Sequence, residues 1–250
     1  MATFVLVHGA WHGGWCWARI APRLRDLGHE VNTPTMTGFG ERIHLLTPDV
    51  GLETNVTDIS NVLKWEELDN VILVGASYAG MVTTSVADRM PERIAALVYI
   101  NAFIAADGVS QNDMLPDWRR EMIEEELAKD PGAWRMPPPA PDLIGVTDRS
   151  DAAWITDKMT IQSAKTFRDC AKITGGVDAI KNRTYIRATG YPNNTFDANL
   201  ETFRANPDWR AEVIDTSHDA MITAADDVVR ILEEVAASLA FDGQTERAAP

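Results

Sequence analysis

Three short stretches carry residue types that could do chemistry together. The first is Gly75-Ala76-Ser77-Tyr78-Ala79-Gly80, directly after the apolar run Val71-Ile72-Leu73-Val74. A serine on a tight strand-to-helix turn has its hydroxyl lifted above the sheet, and the turn needs small residues two before and two after it. Gly75 meets that need, and Ala79 meets it with the smallest side chain above glycine. A helix starting here aims its free amides at the serine, where negative charge would develop. The chemistry indicated is nucleophilic attack by Ser77. The plain alternative is a strand-to-helix turn with an incidental serine.

The second stretch, His8-Gly9-Ala10-Trp11, follows Phe4-Val5-Leu6-Val7. Glycine lets backbone come close to a substrate. The backbone amides of Ala10 and Tyr78 are the expected oxyanion donors, and Trp11 is the expected pocket wall. His8 reads as a structural loop histidine. The third stretch is Ile214-Asp215-Thr216-Ser217-His218-Asp219. Of the five histidines (8, 12, 29, 44 and 218), only His218 lies after a late strand, so it is the expected base for Ser77. The alternative for it is a surface histidine.

These stretches need elements to hold them. Continuous apolar runs predict buried strands at 4–7, 71–75 and 94–100, with weaker ones at 29–33, 184–188 and 211–214. Helical spacing falls at 17–27, 56–63, 80–90 and 224–239; Gly28 and Pro91 act as stops. Alternating strand and helix predict an α/β fold, a mostly parallel sheet with helices on both faces. The rhythm breaks over about 103–171, read as an inserted helical cap in a single 1–250 domain, with helices near 118–129 and 151–167. The proline run Met136-Pro137-Pro138-Pro139-Ala140-Pro141 between them excludes regular helix and central strand. Cap residues Met114, Leu115, Trp118, Met122, Trp134, Met136, Trp154 and Met159 are candidates for an apolar pocket or for ordinary packing.

Composition narrows the classes. The chain has 250 residues, 45% hydrophobic and 24% charged, with formal charge −14. That charge argues against nucleic acid and anionic membranes as partners. Cys16 and Cys170 are too few for a disulfide scaffold and sit in no Cys/His cluster, so two partly buried free thiols and no metal are expected. The N-terminus has no basic, cleavable leader and no apolar run approaches a membrane span, which predicts the cytoplasm. The tail 242–250 is polar and reads as frayed. The partner expected is a small-molecule substrate; a homodimer stays open.

Val5-Leu6-Val7-His8-Gly9-Ala10-Trp11-His12-Gly13-Gly14-Trp15, with the Ser77 turn, resembles the α/β-hydrolase superfamily. The likeness is to the branch of plant methyl esterases, hydroxynitrile lyases and bacterial esterase-like proteins. Thr37-Gly38-Phe39-Gly40-Glu41-Arg42 and His44-Leu45-Leu46 resemble the bacterial members. The resemblance implies an α/β-hydrolase fold with Ser77 as nucleophile, His218 as base, Ala10 and Tyr78 as oxyanion donors, and no cofactor. It also implies an acid behind His218. Plant members carry aspartate after the penultimate strand, where this chain reads Arg187-Ala188-Thr189-Gly190-Tyr191-Pro192. Bacterial members resemble Tyr-Leu-Asp-Ala-Phe after the strand that follows the serine's helix. Here the chain reads Tyr99-Ile100-Asn101-Ala102-Phe103, which puts Asn101 in the third position.

Three readings of that departure stand side by side. The Asn101 carbonyl accepts a hydrogen bond from the histidine and orients it without charge. Or another carboxylate substitutes, with Asp107, Asp197 and Asp219 nearby in sequence. Or an aspartate has been exchanged to trap a complex. The leading function is hydrolysis of a carboxylic ester of a small, mostly apolar substrate through an acyl-enzyme. Cyanohydrin cleavage is disfavoured: the lyases carry threonine where this chain has Gly9, and often lysine where it has Asp219. A ligand-binding protein or a cofactor-free, polyketide-type enzyme on the same scaffold completes the alternatives.

Overall fold

The computed structural model describes the backbone of residues 1–248 and the side chains of residues 1–240. In chain order the strands are β1 (Thr3–Val7), β2 (Glu30–Asn32), β3 (Val71–Ala76), β4 (Ile94–Ile100), β5 (Arg135–Met136), β6 (Gln162–Ser163), β7 (Asn182–Ala188) and β8 (Trp209–Ile214). The helices are α1 (Ala21–Asp26), α2 (Leu52–Trp65), α3 (Ala79–Arg89), α4 (Asp117–Leu127), α5 (Arg149–Lys158), α6 (Lys165–Arg168), α7 (Asn194–Arg204), α8 (Ala220–Thr223) and α9 (Ala225–Ala248).

A six-stranded sheet runs in the order β2-β1-β3-β4-β7-β8, and every neighbouring pair is parallel. Alternate residues of each strand enter opposite cores. Val5, Val7, Leu73, Leu97 and Tyr99 face one core with Val56, Ile59 and Leu63 of α2 and Phe196 of α7. Phe4, Leu6, Ile72, Val74, Val98 and Ile100 face the other with Leu24 of α1 and Val228, Ile231 and Leu232 of α9. Because all six strands run the same way, the residues after β1, β3, β4, β7 and β8 share one sheet edge.

The departures from the expected elements are local. The helix expected at 17–27 is a 3-10 turn, Gly14–Trp17, followed by the short α1, which starts at Pro22's turn. The helix expected at 151–167 ends at Lys158. The chain then pairs β6 antiparallel with β5 beside the proline run and turns once in α6. Helix α7 was not anticipated; Asn193 caps it by accepting from the amides of Thr195 and Phe196. The tail read as frayed is helical in backbone to Ala248, and its remainder lies outside the described residues. Cys16 is buried, whereas Cys170 is exposed rather than partly buried. Among the described residues no helix is long and apolar enough to cross a membrane.

Candidate active site

Ser77 sits between β3 and α3 with φ 54°, a left-handed conformation that non-glycine residues seldom adopt. The surroundings hold it there. Its N–H donates to Ile100 O at 3.0 Å, and its carbonyl accepts from Gly80 and Phe103 amides at 3.0 and 3.1 Å. A Cβ at Gly75 would lie 2.6 Å from Thr83 Oγ1 and 2.9 Å from Ala79 O, so the turn closes only on glycine. Ala79 is fully buried, which its single methyl permits. The Ala10 and Tyr78 amides donate to no protein acceptor among the described residues; Tyr78 follows Ser77 in its turn, and Ala10 lies on the loop after β1, where a Cβ on the preceding Gly9 would come within 3.1 Å of Ser77 Cβ.

His218 arrives on the loop between β8 and α8, pinned by its N–H donating to Ile144 O at 3.0 Å. Its Nε2 lies 2.8 Å from Ser77 Oγ. The ring stacks on Phe196 at 5.7 Å and 5°, with Tyr191 at 4.7 Å. Burial pushes its pKa down from near 6.5 to about 4; Asp219 opposes this, and the charges of Arg187 and Arg119 add to it. The imidazole is therefore neutral at pH 7.

Behind the ring stands Asn101, fully buried with φ 43°. Its amide can point only one way. Oδ1 accepts from the Ala188 amide at 2.8 Å and from Arg187 Nη1 at 3.2 Å, groups that can only donate. Nδ2 donates to Ala188 O at 3.2 Å, a group that can only accept. The second Nδ2 hydrogen faces His218 Nδ1 at 3.4 Å. This reverses the expectation that the Asn101 carbonyl would accept from the histidine. Opposite an N–H₂, Nδ1 is the acceptor, so the neutral ring carries its proton on Nε2 and donates it to Ser77.

The substitute carboxylates are engaged elsewhere. Asp107 accepts from the Ile173 amide, Asp197 from Arg187 Nε at 2.8 Å, and Asp219 lies 3.1 Å from His12 Nε2. Among the described residues no carboxylate hydrogen-bonds His218. The His12–Asp219 pair is buried in the site wall. His12 Nδ1 donates to Ala10 O at 2.7 Å; burial pushes the pKa of His12 down, but the charge and hydrogen bond of Asp219, with the Ala10 carbonyl, outweigh it and leave the pKa raised. It thus ties the loop after β1 to the loop carrying His218.

A model of the alpha/beta hydrolase family matches residues 4–238. The chain belongs to that family. Its sequence is 39% identical over 230 residues to a carbendazim hydrolyzing esterase of Nocardioides sp. (strain SG-4G), covering 89% of this chain and 94% of the relative. It is 32% identical over 112 residues to methylesterase 2 of Arabidopsis thaliana, covering 40% of this chain and 39% of the relative. An extracellular alpha/beta-hydrolase from a Paenibacillus species superposes with TM-score 0.79 at 22% identity, over 96% of this chain and 99% of its own. These relatives make this alpha/beta hydrolase, by class, a carboxylic ester hydrolase.

Of the residues singled out in the sequence, the fold brings Ser77, His218, Asn101, Ala10, Tyr78 and Trp11 to one sheet edge. Trp11 has φ 63°, donates its N–H to Gln162 Oε1 at 2.8 Å, and packs edge-on against Phe167 at 5.7 Å. Gly9, Ala10, Trp11, His12, Ser77, Pro139, Ile144, Met159, His218, Asp219 and Met221 line a cavity of about 20 Å³, room for one water. Trp11 and Pro139 also line a neighbouring cavity of about 290 Å³ with Met122 and Met136. Trp118 is instead exposed, and Trp154 packs on Trp15. His8 is structural: Nδ1 donates to Gly9 O at 2.8 Å and Nε2 accepts from the Met36 amide at 3.1 Å. Sequence reasoning missed Arg187, Gln162 and the His12–Asp219 pair. Only the last had a signal: each member sits beside a residue already singled out.

Proposed function

We propose that this hydrolase cleaves a carboxylic ester through an acyl-enzyme on Ser77. The observation carrying this is the 2.8 Å contact of Ser77 Oγ with His218 Nε2 on a turn held at positive φ. His218, in the form protonated at Nδ1, takes the Ser77 proton as Oγ attacks the ester carbonyl carbon. The amides of Ala10 and Tyr78 hold the resulting oxyanion. Collapse expels the alcohol, which receives the proton from His218. Water then attacks the acyl group by the same route in reverse roles and frees the acid.

The resting ring carries its proton on the wrong nitrogen for the first step. Reaching the productive form sets Nδ1–H against the Asn101 N–H₂, a donor facing a donor. Leaving such a donor unmet costs about 1–3 kcal/mol, so turnover is slow for the fold. The segment 103–171 serves as the cap over the cavity, and its apolar lining suits a small, mostly apolar substrate. Carbendazim is the first compound to assay, since the relative aligned over most of the chain is named for it. A fluorophosphonate is expected to label Ser77 covalently, and Ser77→Ala to lose both labelling and ester turnover. Turnover surviving in Ser77→Ala overturns the assignment.

A further inference from the structure

The second cavity, of about 290 Å³, has walls that are mostly apolar: Trp11, Met122, Ile123, Met136 and the proline run. One cation interrupts them. Arg119, in the first turn of α4, is half-buried, and burial lowers the pKa of its guanidinium. The chain has 37 acidic side chains against 23 basic ones, and its arginines commonly pair with them. Arg120 next door holds Asp117, Arg168 holds Glu124, and Arg89 holds Glu53. Arg119 has no carboxylate within 4 Å among the described residues, and its one side-chain hydrogen bond is a long one to Met122 Sδ at 3.9 Å. Glu126, on the same cavity wall, is bound to Lys129 at 2.5 Å.

A guanidinium drawn out of water without a partner is a cost to the fold, and its planar fork matches a carboxylate. The cavity approaches the size range of small-ligand pockets. It also meets the cavity holding Ser77 along Trp11 and Pro139, which line both. We propose that Arg119 makes this cavity a subsite for an anionic end of the substrate. The preferred esters then carry a carboxylate at the end remote from the scissile bond, with an apolar spacer along Trp11 and the prolines. The inference rests on Ser77 being the nucleophile.

The test compares matched esters on the wild-type enzyme, Arg119→Gln and Arg119→Lys. On the acyl side the pair is 4-nitrophenyl hydrogen glutarate against 4-nitrophenyl pentanoate. On the alcohol side it is 4-carboxyphenyl acetate against phenyl acetate. Wild type is expected to favour the anionic member of at least one pair by about ten- to a hundredfold in kcat/KM, the range of a hydrogen bond to a charged group. Arg119→Gln is expected to lose that preference and Arg119→Lys to keep part of it. Equal kcat/KM within each pair for wild type overturns the subsite, as does a preference that survives in Arg119→Gln. Fluorophosphonate labelling separates the two failures. An unlabelled wild-type Ser77 fails the acyl-enzyme reading, whereas a labelled Ser77 with no anionic preference fails the subsite alone.

Discussion

Asn101 decides what His218 can do to Ser77. Backbone and arginine partners lock its carbonyl away from the ring and turn its N–H₂ toward Nδ1. The sequence revealed that a neutral residue occupies the third position, but not which end of the amide faces the histidine. That depends on Arg187 and Ala188, which pairing of β4 with β7 brings beside Asn101 from 86 and 87 residues away. An aspartate in the same place would keep the Arg187 and Ala188 contacts on one oxygen and offer the other to Nδ1–H. It would be repelled by Ala188 O, which now accepts from Nδ2, and that repulsion pushes the free oxygen toward the ring. In a serine protease, replacing the corresponding aspartate by asparagine costs about ten-thousandfold, partly through the tautomer. The reverse exchange here should therefore speed acylation.

At the scale of elements, the turn between β3 and α3 is the best-specified piece of the molecule. A strand buried on both faces, a required glycine and an almost wholly buried α3 all point to it. Gly75→Ala sets a methyl against Thr83 and the Ala79 carbonyl and should cost about 1–3 kcal/mol of stability through overpacking. A shifted urea midpoint together with slower fluorophosphonate labelling of Ser77 is the expected pair of results; an unchanged midpoint contradicts the packing argument. The central strands were legible because burial on both faces leaves a continuous apolar run. The region between β4 and β7 was harder to read. There β5, β6 and α6 are two to four residues long and are held by contacts distant in sequence, such as Gln162 on Trp11. Helix α7 begins with an asparagine cap that local pattern does not separate from a turn.

For the whole molecule, parallel strand direction is what turns scattered residues into a site. The order of strand and helix was readable from hydrophobic runs, and so was the edge on which Ser77 and His218 would meet. Which charges the fold buries beside them was not. His8 and His218 are held neutral by burial, with pKa values lowered from near 6.5 to about 3 and about 4. Unfolded, both bind protons more readily, so their contribution to stability is complete above pH 6.5 and is lost as pH falls toward 4 and 3. His12, its pKa raised beside Asp219, runs the other way: its contribution is present below pH 6.5 and lost as pH rises through its folded value. Below pH 6.5 His12 is protonated in both states and its contribution no longer changes, so the two lowered histidines set the trend. The unfolding free energy from urea titration should fall steadily between pH 6.5 and pH 4, by on the order of 1–3 kcal/mol per pH unit where both groups titrate, and the midpoint should fall with it. A midpoint constant across that window contradicts the burial of neutral histidines.

The most direct test of the account is the pH profile of kcat/KM for wild type and Asn101→Asp on one neutral ester. Activity requires unprotonated His218, so wild type should be slow, with its acid limb near pH 4. Asn101→Asp should be faster by at least about tenfold, with the limb moved to higher pH by the new carboxylate. A folded Asn101→Asp enzyme that labels at Ser77 yet turns over no faster, with its acid limb unmoved, would contradict the claim that Asn101 withholds the productive form of His218.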